Sequence, residues 1–479
     1  MKHLIILLTF LSLALAGVLP AAPTEEERSA SPGAAGGEAF ASSAVPAALM
    51  SRTDTETLLK AASSLSTVSV SPTGRYIAAV DRSRISVQDR FAADVANPMG
   101  RLPQKLLLFA RHDDGYLPDR EIPLDQTASK ELSSTFGGGA ALCWSADETR
   151  CIVSLRWTGD TRSYITRTHS NLYLMDMTDG TVRQLTQNTG AFEHCYLPAW
   201  HGDSAIRYLR LSGSSDPVNV LCELDIRTGE ETVLATLYSE GMAIIDHWAA
   251  VGSDIYYTAD VWGMGKFLRS PMGGGKADAR CLLDQETELR ETGKHPYCRG
   301  FSGMDVTADG RWACLTITDQ RVPRLDFPFA DSPQLPQSDP ADALSLNGRP
   351  WTPCHNVLLY DIPNGRLAEP FRDPRLVPTE SVVTAACFAP DGRTLLCAVF
   401  GDGKPWTLPD TQRTVFYEIE LESGGMNAVR LFETELRSSL WFPEGLSWQT
   451  DDLIMIPTDE MPALPVQLLR LYRAGSGRD

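Results

Sequence analysis

The stretch Ala386-Cys387-Phe388-Ala389-Pro390-Asp391-Gly392-Arg393-Thr394-Leu395-Leu396-Cys397-Ala398-Val399 decides the reading of the whole chain. It reads as two β-strands around a tight turn. Asp391 and Gly392 supply the side-chain-to-backbone bonding and the positive φ that a short hairpin needs. The apolar runs on either side suit half-buried strands.

The same unit recurs along the sequence. It appears from Val68 (VSVSPTGRYIAAV), Leu142 (LCWSADETRCIVSL), Pro198 (PAWHGDSAIRYLRL), Ala249 (AAVGSDIYYTA), Met304 (MDVTADGRWACLTI) and Leu446 (LSWQTDDLIMIP). A second unit follows each, an apolar strand, a Gly turn and another strand, as in Leu172 to Thr186 (LYLMDMTDGTVRQLT). Two units make four antiparallel strands, so the pattern predicts an all-β fold of blades, a β-propeller. The count gives seven blades, or six if the weak copy from Ala249 is not one. The last copy lacks a fourth strand after Val466 to Tyr472. Thr55 to Ala61 is expected to supply it, closing the last blade with an N-terminal strand and hiding two sheet edges. Its Leu-Leu-Lys-Ala-Ala-Ser run also has helix propensity; strand is the preferred reading.

The blades are expected to fill residues 55–479. Residues 1–16 read as a signal peptide, with Lys2 ahead of an apolar run and Ala14-Leu15-Ala16 as the cleavage site. Residues 17–54 are rich in Ala, Pro, Gly, Ser and Glu and read as a disordered tether. No later segment is long and apolar enough to span a bilayer as a helix. The expected location is therefore periplasmic or secreted. The net charge of -18 argues against non-specific nucleic-acid binding.

Export permits disulfides among the ten cysteines. Cys143 with Cys151, and Cys387 with Cys397, flank equivalent turns, and Cys281 with Cys298 could close an inter-blade loop. The alternative is that these are buried thiols packing as small hydrophobes.

The quoted residues resemble the TolB-type propeller repeats of bacterial envelope proteins. The resemblance rests on Phe388-Ala389-Pro390-Asp391-Gly392-Arg393, Trp144-Ser145-Ala146-Asp147, and Leu172 to Thr186. It covers roughly Thr55 to Tyr472 and implies fold far more than function. TolB itself carries an α/β domain where this chain has the tether, so the chain is not expected to be TolB. Similar repeats cap dipeptidyl-peptidase-like hydrolases, but no G-x-S-x-G elbow occurs here. They also resemble the repeats of oligogalacturonate lyases, which hold a metal by histidines near the ring centre.

Blade topology places the tight turns at one face and the second-to-third-strand loops at the other. Those loops are long at Arg82 to Arg101, Arg156 to Ser170, Thr318 to Pro353 and Phe400 to Arg413. Long loops on a rigid scaffold commonly carry binding. They gather Arg156, Trp157, Arg162, Arg321, Arg324, Phe327, Lys404 and Trp406, residue types enriched at interface hot spots. The leading expectation is a non-enzymatic module with no cofactor and no catalytic residue, binding another envelope or secreted protein, or a glycan. The alternative is a metal-dependent polysaccharide or oligosaccharide lyase. There His194, His247 and His295, read as lying in successive blade-to-blade loops, would hold Mn or Zn.

Overall fold

A computed structural model of the chain describes residues 53–60, 65–81, 105–112, 115–123, 142–158, 168–189, 193–213, 217–239, 244–261, 264–290, 298–319, 345–346, 349–350, 357–368, 382–400, 414–421, 427–434, 447–450, 453–457 and 466–473. Chain contacts divide Met1–Val45 from Pro46–Asp479, and every described residue lies in the second unit.

Strands pair in chain order into four-stranded antiparallel meanders. The first comprises Leu65–Val70, Tyr76–Asp81, Lys105–His112 and Gly115–Pro123. The second comprises Leu142–Trp144, Arg150–Thr158, Thr168–Asp176 and Val182–Gln184. The third comprises Glu193–His201, Ala205–Ser212, Val218–Asp225 and Glu231–Leu237. A two-residue parallel contact, Glu193 and His194 beside His169 and Ser170, joins the second and third into one eight-stranded sheet. The fourth comprises Ile244–Val251, Asp254–Val261, Met264–Pro271 and Arg280–Asp284. The fifth comprises Cys298–Val306, Trp312–Asp319, Val357–Asp361 and Arg366–Ala368. The sixth comprises Val382–Phe388, Thr394–Phe400, Thr414–Glu420 and Asn427–Thr434.

A further four-stranded sheet orders Ser447–Thr450, Leu453–Pro457, Val466–Arg473 and, outermost, Thr53–Lys60. The N-terminal segment therefore adopts the expected strand, not a helix. It runs antiparallel to the C-terminal one from Thr53 beside Arg473 to Lys60 beside Gln467. Ala61 lies outside the described residues.

Consecutive sheets share apolar cores. Ala78, Leu106 and Ile122 of the first meet Trp144, Val153 and Tyr173 of the second. Ile152 and Leu172 meet Ile206, Tyr208 and Cys222 of the third. Leu209, Leu221 and Leu237 meet Ile255, Tyr257 and Leu268 of the fourth. Tyr256, Phe267 and Leu283 meet Leu315, Ile317 and Leu358 of the fifth. Val357 and Leu359 meet Phe388, Leu395 and Tyr417 of the sixth. Because both faces of an inner sheet are covered, its strands read as near-continuous apolar runs, as in the fully buried Val357–Asp361. Burying one such Leu or Phe side chain contributes about 1.5–3 kcal/mol. Four-stranded meanders stacked face to face in chain order are the β-propeller fold.

In the second, third and fourth sheets a tryptophan stands ahead of the tight turn and has a second task. The indole N–H of Trp144 donates to Ser69 O at 3.3 Å, that of Trp200 to Cys143 O at 3.0 Å, and that of Trp248 to Leu197 O at 2.9 Å. Each bond crosses from one sheet to the innermost strand of the sheet before it. At the fifth-to-sixth seam the residue is Phe388, which has no ring donor. There the main-chain N–H of Phe388 donates to Asp305 Oδ2 at 2.8 Å.

The turns themselves are held by their aspartates. Ser145 Oγ donates to Asp147 Oδ1 at 2.6 Å, and the Thr149 amide to the same oxygen at 3.0 Å. Thr307, Asp309 and Arg311 repeat the pattern, as do Asp391 and Arg393 in part. The Ser145 hydroxyl bond is the main cause that holds the Asp147 carboxyl down to about 2.

Strand register separates the two hairpin cysteine pairs. Cys143 lies opposite Ile152, and Cys151 opposite Trp144. Directly opposed residues share a sheet face, so an offset of one puts the two thiols on opposite faces. Cys387 opposite Leu396 and Cys397 opposite Ala386 show the same offset. Neither pair is placed to bridge; burial pushes the Cys143 thiol up to about 11. Cys281 is a free, exposed thiol on the outermost strand of the fourth sheet, and Cys298 opens the innermost strand of the fifth.

Candidate partner-binding face

The connections between first and second strands are short in every described sheet, as between Val70 and Tyr76 or between Val251 and Asp254. Those between second and third strands are long in four sheets, from Asp81 to Lys105, Thr158 to Thr168, Asp319 to Val357 and Phe400 to Thr414, and short in the third and fourth, from Ser212 to Val218 and Val261 to Met264. In an antiparallel meander these two kinds of connection leave opposite ends of the sheet. The expected asymmetry is present in the strand boundaries.

At this end of the second, third and fourth sheets the start of the third strand is pinned by polar side chains, Asn219 and Gln285 buried and Asn188 half-buried. Asn188, just past the outermost strand of the second sheet, donates through Nδ2 to Ser170 O at 2.9 Å. Its main-chain N–H donates to Asn171 Oδ1 at 2.6 Å, and its Nδ2 also approaches Cys195 Sγ at 3.1 Å in the next sheet. In the third sheet Asn219 Nδ2 donates to Ser239 Oγ at 3.1 Å, and Asn219 Oδ1 accepts from Tyr196 OH at 2.9 Å. In the fourth, Gln285 accepts from the Gly265 amide at 3.0 Å and donates to Gly300 O of the fifth sheet at 2.8 Å. Asn188, Ser239 and Gln285 each follow an outermost strand and tie the start of the third strand. Sequence reading missed these residues. The Leu185-Thr186 ending of the repeat was visible, but Asn188, two positions on, carried no signal of its bonding.

The polar groups near this end are engaged with one another. Ser170 Oγ donates to Cys195 O at 3.0 Å and lies 3.3 Å from His194 Nδ1. A hydroxyl whose proton points at a main-chain carbonyl is not an activated nucleophile. Burial pushes the Cys195 thiol up to about 12, despite the Asn188 contact, so it stays protonated near neutral pH.

The histidines fall differently from expectation. His194 and His247 lie within innermost strands, Glu193–His201 and Ile244–Val251, not in loops. The strands begin earlier than the turn pattern suggests because each innermost strand carries a bulge, at Tyr196/Ala199 and Ile245/His247, that adds residues without breaking pairing. His247 Nδ1 lies 3.1 Å from Thr258 Oγ1, and burial brings its pKa down to about 4. His295 lies outside the described residues. Among the described residues no three His, Cys, Asp or Glu side chains gather as a metal site would require.

Of the expected binding residues, Arg156 and Trp157 sit at the end of the strand Arg150–Thr158, opposite Ser170 and His169. That is where the connection to the third strand begins. Arg162, Arg321, Arg324, Phe327, Lys404 and Trp406 lie outside the described residues. Elsewhere arginines pair locally, Arg207 with Glu223 at 2.8 Å and Arg269 with Asp254 at 2.7 Å. Among the described residues no helix is long and apolar enough to cross a membrane.

No family model and no curated protein matches this sequence. Solved structures resemble it at low identity. The β-propeller domain of the Trilobed protease from Pyrococcus furiosus is 9% identical, with 87% of this chain and 96% of that one covered and a TM-score of 0.43. An oligogalacturonate lyase in complex with manganese is 11% identical over 70% of this chain and 89% of that one, TM-score 0.40. The RRP9 WD40 repeats are 9% identical over 88% of this chain and 98% of that one, TM-score 0.45. At these scores the likenesses do not bear on activity; the propeller fold stands on strand pairing and packing.

Proposed function

We propose that this chain is an exported, non-enzymatic propeller that captures another envelope or secreted protein through the end bearing its long connections. One observation carries the reading. Every long insertion between paired strands falls between a second and a third strand, and so at one end of the sheets. Side-chain hooks at that end of the second, third and fourth sheets stiffen the platform beside the long connections, which lowers the ordering cost of binding there.

The ring has seven blades of the TolB type. Thr53–Lys60 of the last blade also neighbours Asn427–Thr434 of the sixth sheet and Gly115–Pro123 of the first, which supports closure through the N-terminal strand. Residues 1–16 direct export, and the mature protein acts in the periplasm or outside the cell.

The test is a pull-down from envelope extract with the full chain. Reversing the charges of Arg162 and Arg324 together with Trp406→Ala is expected to abolish partner capture while leaving the melting temperature unchanged. Undiminished capture by that variant removes this surface from consideration.

A further inference from the structure

The geometry points to Glu148 and Thr73 as an inter-sheet latch, a conformational device that makes the Thr73 corner of the first sheet's tight turn depend on the second sheet. Two departures from the repeat lead to it. In the turns after Val306 and Phe388, the residue following the aspartate is Gly310 at φ +68° or Gly392 at φ +67°. In the second sheet that position is Glu148, at φ +59°. A side chain at positive φ is strained, and residues other than Gly, Asn and Asp rarely adopt it.

The other departure is in the first sheet. Asp147, Asp309 and Asp391 each accept a main-chain N–H within their own turn, from Thr149, Arg311 and Arg393. The equivalent residue of the first turn is Thr73, which has no carboxylate to offer. The two departures meet. Glu148, only 8% exposed, accepts through Oε1 from Thr73 N and from Thr73 Oγ1, both at 2.7 Å. The first turn thus takes a carboxylate from its neighbour, on the amide and hydroxyl of Thr73 itself and not on the amide two residues further on. The turn's other bonds come from its own sheet, Gly74 N to Ser71 O at 2.8 Å, Ser71 N to Tyr76 O at 2.9 Å, Tyr76 N to Ser71 Oγ at 2.9 Å and Tyr116 OH to Gly74 O, and none of them takes the Thr73 amide.

It follows that the Thr73 amide is held only when the second sheet is seated against the first turn. Hydrogen–deuterium exchange on the full chain tests this at the Thr73 amide. In Glu148→Gly the backbone strain is relieved, so an incidental Glu148 would leave the Thr73 amide protected and raise the melting temperature. The latch requires the opposite: Thr73 protection falls by roughly tenfold and the melting temperature drops. Glu148→Asp is the companion, because Asp tolerates positive φ but is one methylene too short to reach Thr73. It too is expected to lose Thr73 protection. Wild-type protection at Thr73 in both variants overturns the latch.

Discussion

Between the second and third sheets, the Trp200 indole donates to the Cys143 carbonyl. Between the fifth and sixth, the Phe388 amide donates to the Asp305 carboxylate. The two bonds occupy the same place in the repeat and join the same pair of strands. They differ in what they bury. An indole N–H is neutral and asks only for an acceptor. A carboxylate carries a charge whose loss of hydration is expensive, and burial accordingly raises the Asp305 pKa above the ordinary value of 3.8 even though the Phe388 and Val306 amides favour the ionised form. The same architectural need, met by two chemistries, leaves one seam indifferent to pH and the other sensitive to it.

Removing the neutral clasp is expected to have the largest effect. Trp200→Ala loses both the indole bond and the ring that packs on the second-to-third core, and should cost about 3 kcal/mol in denaturant unfolding. Trp200→Phe keeps most of the ring and loses only the donor, so about 1 kcal/mol is expected.

The charged clasp makes a sharper contrast. Asp305→Ala leaves the buried Phe388 N–H without its acceptor and should cost about 1–3 kcal/mol at acidic pH. Asp305→Asn keeps an acceptor and discards the charge. Because the folded-state pKa of Asp305 is raised, the native state binds the proton more tightly than the unfolded one. Stability is then full below about 4 and declines as pH rises through the folded pKa. The Asn variant should therefore gain on the wild type as pH rises through that window in midpoint measurements. A constant difference would mean that Asp305 is not the source of the pH dependence.

His247 gives the opposite sign. Its pKa, lowered to about 4 from 6.5, means that the unfolded chain takes up the proton first as pH falls. Stability is lost between those two values, and His247→Gln should flatten that acid limb. The smallest effect is expected from reductant. With Cys143 and Cys151 on opposite sheet faces, and Cys387 and Cys397 likewise, dithiothreitol should not shift the melting temperature.

The propeller was legible because its turns are local. Asp391-Gly392 and its relatives carry their own bonding instructions, and the strand completing the last sheet was readable as the one piece the repeat lacked. Trp144 was visible ahead of its turn, though not as a donor. What could not be read depends on parity and partnership. Cys143 and Cys151 look adjacent across a turn, and only the register decides that they face apart. His194 looks like a loop residue until a bulge extends its strand. Glu148 looks like a misplaced surface acid until Thr73, far away in the sequence, is seen beneath it. The expected binding residues beyond Trp157 lie outside the described residues, in connections whose composition hints at contact but holds no repeat to interpret.

The pairing of Thr53–Lys60 with Val466–Arg473 has a mechanical corollary. Thr53 stands beside Arg473, so the chain enters and leaves this sheet at the same end. A pull that separates residue 52 from residue 474 loads the hydrogen bonds one after another, as in opening a zip. A pull along the strands in opposite senses loads them all together. The molecule is weak in the first direction and strong in the second, and a force probe attached at its two ends would find the weak one.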